Sequence, residues 1–274
     1  MKYPAAARAI VLFATLAFAL PSVAQQTPPR PFNECESEAI YGFPTSLKKD
    51  TTRICRKGYA LEYDNKAKIP VWASYTLTPT RATGCYARTN AFAVDKSLSP
   101  DARSIMKDYA KSGYDQGHQV PEGDMRWDLQ AEQESFLMSN MAPQLPEFNR
   151  GIWKKLEDST RGWAVNRQHK LQIYMGPVYN RDQNMRIGRG QVTVPHGYWK
   201  VIIDTETSEV MVFIFPHEGS KNDLSTFISS FAELQGKTGL VVPIPKDAKY
   251  AKETWPRIMK SVSKTKGIIC SLKQ

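Results

Sequence analysis

The chain has 274 residues, 37 of them Lys or Arg against 27 Asp or Glu, for a net charge of +10 at neutral pH. Its length permits one large domain or two small ones around a substantial core. The basic surplus favours polyanionic partners without identifying one, and no segment beyond the N-terminus is long and apolar enough for a membrane-spanning helix.

Residues 1–24 read as a secretory signal peptide. Lys2 and Arg8 precede an apolar run from Ile10 to Leu20, and the small residues Ser22 and Ala24 follow. An uncleaved anchor is the alternative, but the run is shorter than the roughly 20 residues that span a bilayer. A secreted or periplasmic protein with no membrane attachment after cleavage is therefore expected. Cleavage removes Lys2 and Arg8 and no acid, so the mature chain stays basic. Export to an oxidising compartment makes disulfides the expected use of Cys35, Cys55, Cys85 and Cys270. The short first spacing favours Cys35–Cys55 with Cys85–Cys270. A zinc site is disfavoured, because the cysteines stand singly with no C-x-x-C pair.

Residues 25–45, rich in Pro and polar side chains, read as a loose N-terminal arm tied down at Cys35, ahead of a domain over 46–274. KGYALEYD and IPVWASYTLTP alternate apolar and polar residues, which predicts paired strands over 57–64 and 70–79 joined by the NKAK turn. A helix is predicted over 131–138 and a longer one over 147–166, where Phe148, Ile152, Trp153, Leu156 and Trp163 share one apolar face. Strands follow at 171–179, 196–204 and 209–217. DLSTFISSFAELQG then predicts a last helix stopped by Gly236. With no internal repeat and no later linker, the predicted class is α+β: a single domain with a central, mostly antiparallel sheet flanked by helices.

Only four histidines are present, His118, His169, His196 and His217, and His118 has the richest surroundings. In DQGHQVPEGDM, Gly117 allows a close backbone approach, and Asp115, Gln119 and Asp124 are placed to orient an imidazole. Taken alone, a hydrogen-bonded histidine in a polar turn explains these letters equally well. Downstream, SFLMSNMAPQLPEFNRGIWKKLE carries Asn140, Gln144, Asn149, Arg150 and Glu157. On a regular helix Asn149 and Glu157 fall within about 80° of each other around the axis, so both can serve one site. Their plain readings are a helix cap and a solvated charge. His196 and His217 read as loop residues at strand ends, and His169 as a turn residue.

Together these residues resemble the non-specific DNA/RNA endonucleases of the ββα-metal superfamily. That family's signature is Asp-Arg-Gly-His, then Gln or an aliphatic residue, three free positions and a small residue. Asp115, Gly117, His118, Gln119 and Gly123 fit it. SNMAPQ and FNRGIWKKLE resemble its second block, with Asn140, Pro143, Gln144, Asn149, Trp153 and Glu157 in order. Gln116 stands where the family usually has Arg, which removes a positive charge that Arg126, Arg150 or another cation would have to replace. YARTNAFAVD resembles the family's Arg, aromatic and Asp segment, making Arg88 the implied transition-state cation and Arg81 its competitor.

The resemblance implies hydrolysis of phosphodiesters, which needs an activated water, stabilised phosphoryl charge and help for an alkoxide leaving group. His118 is the implied general base, since imidazole titrates near neutrality if an acceptor fixes its tautomer. Asn149 is the implied direct ligand of a hydrated Mg2+, with Mn2+ or another divalent cation also compatible, and Glu157 holds that ion through a bound water. Asn140 joins the catalytic set, and Asp115, Gln116, Gln144 and Arg150 the substrate-binding set. DNA and RNA are the implied substrates, cut with little sequence preference because such a site touches phosphate and sugar. If about four phosphates are neutralised, the logarithmic salt slope on duplex DNA is roughly −3.6. A homodimer is compatible with the resemblance, and no inhibitor protein can be read from the chain. A catalytically weak or inactive basic nucleic-acid-binding protein of the same fold, weakened by Gln116, is the alternative. A phosphodiesterase of small nucleotides is a third.

Overall fold

The computed structural model describes residues 26–180 and 183–256. The signal peptide and Cys270 lie outside the described residues. Strands β1 (Thr51–Cys55), β2 (Ala60–Asp64) and β3 (Ile69–Leu77) open the fold, followed by the short helices α1 (Pro79–Ala82) and α2 (Met106–Tyr109). Next come β4 (Asp115–His118), α3 (Leu129–Ser135) and β5 (Met141–Gln144), then the long helix α4 (Lys154–Arg167). The chain continues through β6 (Leu171–Val178), β7 (Arg186–Ile187), β8 (Val192–Thr193), β9 (Gly197–Asp204), β10 (Glu209–Pro216), α5 (Phe231–Thr238) and β11 (Lys249–Tyr250).

Seven strands form the central sheet in the order β1-β2-β3-β6-β9-β10-β11, antiparallel except for the final β10–β11 pair. Successive side chains of a strand point to opposite faces, and here both faces are covered. Ile173, Tyr198, Ile202, Met211, Phe213 and Phe215 face one core, shared with Phe148, Ile152, Trp153, Leu156 and Trp163 of the α4 region. Tyr174, Trp199, Val201, Ile203, Val210 and Val212 face a second core with Cys35, Leu234 and Leu240. This two-sided cover explains why β6 and β9 are buried along their whole length. The architecture is α+β with a mostly antiparallel sheet flanked by helices. Outside that sheet, β4 and β5 pair antiparallel and α4 follows, a ββα unit packed on one face of the sheet, where the Tyr198 hydroxyl of β9 donates to the Pro143 carbonyl of β5.

Several local expectations change. Residues 57–59 turn before β2, with the Arg56 amide bonding the Tyr59 carbonyl at 2.8 Å, and the short edge strand β1 carried no sequence signal. The arm is not loose: Cys35 is disulfide-bonded to Cys55, Glu38 is buried against Thr76 and Arg81, and Phe43 stacks on Trp72. Among the described residues no cysteine is free, while the expected partner of Cys85 falls outside them. The last predicted helix is split. Ser229 donates to Val212 on β10, which draws residues 228–230 into extended backbone before Ser230 caps α5. Gly236 lies inside α5, which ends instead at Gly239 in the left-handed region (φ 71°).

Candidate active site

The ββα unit opens onto a cavity of about 630 Å³ lined by His118, Asn149 and Glu157 together with Gln116, Arg88 and Arg150. His118 closes β4 opposite Met141. The strand pair brings Gly117 against Gln144, whose side chain occupies the space a Cβ would need. No described residue hydrogen-bonds the imidazole, so the acceptor expected to fix its tautomer is missing. Aromatic packing holds the ring instead, with Phe136 edge-on at 4.9 Å between centroids and Phe92 at 5.8 Å. Nε2 is buried without a partner. Burial first, and the Arg88 guanidinium second, push the imidazole down to about 3, so the ring is neutral at neutral pH.

Asn149 sits where the helix is irregular. Residues Phe148–Trp153 form a widened π-type turn in which Gly151 leaves helical geometry (φ −103°, ψ −110°), and regular α-helix begins only at Lys154. The 100° step per residue therefore does not run from Asn149 to Glu157, and regular helical spacing does not relate the two. The bulge nonetheless leaves both side chains on one cleft, and such bulges recur at functional sites. The Asn149 amide nitrogen donates to Asp115 at 2.9 Å, which leaves Oδ1 as the atom without a protein partner among the described residues. Its backbone is anchored through a relay. The Asn149 and Phe148 amides donate to the Leu145 carbonyl, and the Leu145 amide donates to His217 Nε2 at 2.7 Å. His217 Nδ1 in turn reaches the Pro195 carbonyl at 2.7 Å, which fixes the neutral tautomer with the proton on Nδ1. His217 is thus a structural clamp and not the loop residue the sequence suggested.

Glu157 has no hydrogen-bond or ion-pair partner among the described residues, although Lys200 and Arg161 lie near enough to oppose the rise in its pKa that burial causes. Lys200 comes up from β9, fully buried, with Nζ 4.5 Å above the Trp153 ring and no hydrogen bond; burial lowers its pKa against the pull of Glu157. Arg161 bonds Asp124 at 2.6 Å, and Asp124 also accepts the Tyr75 hydroxyl at 2.6 Å. Asp124 is therefore engaged away from His118. Arg161 lies one helical turn beyond Glu157, a spacing that could have found it; Lys200 has no comparable local signal.

The other expected residues divide. Arg88 lines the cleft, bonded to Glu122 at 3.0 Å and stacked over Phe136 at 4.9 Å, whereas Arg81 is engaged with Glu38 and Trp127 and does not line it. Asn140 is fully buried, accepting from the Val120 amide and donating to the Val120 and Ser135 carbonyls. It fixes the backbone after His118 and touches no cleft. Gln144 is likewise buried, beneath Gly117, so neither of these two side chains is placed to meet substrate.

No cluster of three or more His, Cys, Asp or Glu that could hold a metal occurs among the described residues. The oxygen donors Asn149 Oδ1 and Glu157 fit instead a hard cation that keeps most of its waters, since neither has a hydrogen-bond partner among the described residues and both side chains line the same cavity.

Known nucleases resemble this chain over most of its length. The family model described as DNA/RNA non-specific endonuclease matches residues 37–246. A nuclease of a Nostoc strain is 31% identical over 209 residues, covering 72% of this chain and 74% of that protein. The nuclease of Serratia marcescens is 28% identical over 231 residues, 80% and 85% of the two chains. Human mitochondrial endonuclease G is 30% identical over 175 residues, 60% of this chain and 57% of that one. A chain in the crystal structure of the EndoG/EndoGI complex superposes with a TM-score of 0.71 at 26% identity, over 83% of this chain and 99% of that chain. The protein belongs to the DNA/RNA non-specific endonuclease family and is a nuclease, a hydrolase acting on nucleic acids.

Proposed function

We propose that the protein is an exported, Mg2+-dependent endonuclease that hydrolyses DNA and RNA phosphodiesters with little sequence preference. The observation that carries this reading is the make-up of the cleft: a neutral imidazole without a hydrogen-bond partner, beside two oxygen donors, Asn149 Oδ1 and Glu157, that no described residue engages. His118 acts as general base, taking a proton from the attacking water. Its proton affinity is low in the free cleft, and an anionic phosphodiester raises it by opposing the effect of Arg88. Arg88 compensates charge on the phosphoryl oxygens. Asn149 would hold Mg2+ directly and Glu157 through water, and the bound ion would supply Lewis acidity to the phosphoryl and leaving oxygens. Asp115 orients the Asn149 amide so that its oxygen is free. Export is supported by the signal-like composition of residues 1–24.

The test uses the mature protein with plasmid DNA and with RNA, with magnesium or with chelator, beside His118→Ala. Cleavage of both polymers that needs the metal and falls by about 10²–10⁴ in the variant is expected. Binding without metal-dependent cleavage would sink the enzymatic reading, and cleavage surviving in His118→Ala would sink the role of the base.

A further inference from the structure

The cations of the cleft differ in how far they are already committed. Arg161 is mostly buried between Asp124 and Asp158. Arg126 lies with its side chain 26% exposed and both Nε and Nη2 turned onto Glu122. Arg88 shares that same carboxylate and also bonds Asn90. Lys154 pairs with Asp158 within its own helix. Arg150 is the most exposed of them, at 72% of its side chain, yet its geometry is fixed: Nε donates to Asp115 Oδ2 at 2.9 Å and Nη2 to Asp115 Oδ1 at 2.7 Å.

A guanidinium held along its Nε–Nη2 edge still has Nη1 and the outer hydrogen of Nη2 to give, on the side away from the carboxylate. That remaining edge has the spacing to fork onto two phosphate oxygens, and its orientation is set before substrate arrives, so little rotamer freedom is lost on binding. The seat is shared. Asp115 Oδ2 also accepts the Asn149 amide, so one carboxylate fixes the proposed metal ligand and the arginine next to it in sequence. Gln116, the next residue on the same strand and lining the same cleft, contributes no charge there.

We propose that Arg150, seated on Asp115, is the principal phosphate-gripping cation of the cleft, taking a backbone phosphate of the nucleic acid beside the turn that carries Asn149. The proposal rests on the reading of the cleft as a nuclease site and names the residue that determines its grip.

The experiment measures two things on the mature protein, Arg150→Gln, and Arg150→Gln combined with Gln116→Arg. The first is binding of a labelled DNA duplex in chelator across a range of sodium chloride concentrations, and the second is steady-state cleavage in magnesium. Arg150→Gln is expected to weaken binding and raise KM by about tenfold, to make the logarithmic salt slope shallower by about 0.9, and to leave kcat within about threefold. Adding Gln116→Arg returns a cation to the same cleft and is expected to recover most of the slope and of KM. An unchanged slope, a loss confined to kcat, or no recovery in the double variant overturns the proposal. If the wild-type protein binds with the expected salt slope but never cleaves, the enzymatic reading fails while this assignment stands.

Discussion

Glu157 shows how a single side chain is prepared for an ion. A partly buried carboxylate without a hydrogen bond is unfavourable unless charge of opposite sign lies near. Here Lys200 and Arg161 supply that charge without bonding to it, because Lys200 stacks on Trp153 and Arg161 is occupied by Asp124 and Asp158. The carboxylate oxygens are thereby left for something that arrives from the cleft. A glutamine at this position keeps the shape and removes the charge. Glu157→Gln is accordingly expected to raise the magnesium concentration for half-maximal plasmid cleavage by about 10- to 100-fold, the usual cost of losing an outer-shell metal partner. A magnesium titration that overlays the wild type would remove Glu157 from the metal site.

At the scale of elements, the β4–β5 pair places His118, and its closeness depends on one missing side chain. Gly117 lies directly over Gln144, where an added methyl group overlaps the buried amide. Gly117→Ala should cost about 1–3 kcal/mol in denaturant unfolding, as overpacking does, and Gln144→Ala in the same chain should recover most of that loss. Additive losses in the double variant would show that the strand pair, not the Gln144 side chain, excludes the methyl. This contact was not legible in the sequence. His118, Asn149 and Glu157 line one cleft, as the family resemblance implied, although residue type alone left each a plain reading as turn residue, cap or surface charge; Asn140 and Gln144 lie buried outside it, because sequence order does not say whether an amide faces a cleft or a neighbouring backbone. The central strands were visible through their apolar alternation. The bulge at Phe148–Trp153 and the break before Ser230 were not, since tertiary hydrogen bonds to His217 through Leu145, and to Val212, override helical periodicity there.

For the whole molecule, packing imidazoles into apolar surroundings ties stability to pH. His118 is driven down to about 3 by burial and by Arg88, and His217 is lowered by burial against the pull of the Pro195 carbonyl and Glu147. An unfolded histidine titrates near 6.5, so between that value and the native one the unfolded chain takes up protons that the folded chain refuses. Stability from these two residues is complete above about pH 6.5 and is lost as pH falls through that window. By pH 5 the contribution of His118 alone reaches about 2 kcal/mol, from roughly 1.4 kcal/mol for each pH unit below the unfolded value. Glu157, whose pKa is raised, acts in the opposite direction over part of the range, so the wild-type profile alone does not isolate the histidine. Comparing the profile with that of His118→Ala does, because Glu157 is common to both chains. Urea unfolding at pH 7.5 and pH 5 should show a loss on acidification about 2 kcal/mol smaller in the variant than in the wild type. Equal losses in the two proteins would mean that the ring takes up its proton in the folded state nearly as readily as in the unfolded chain, and that Phe92 and Phe136 hold a solvated imidazole instead of a dry one.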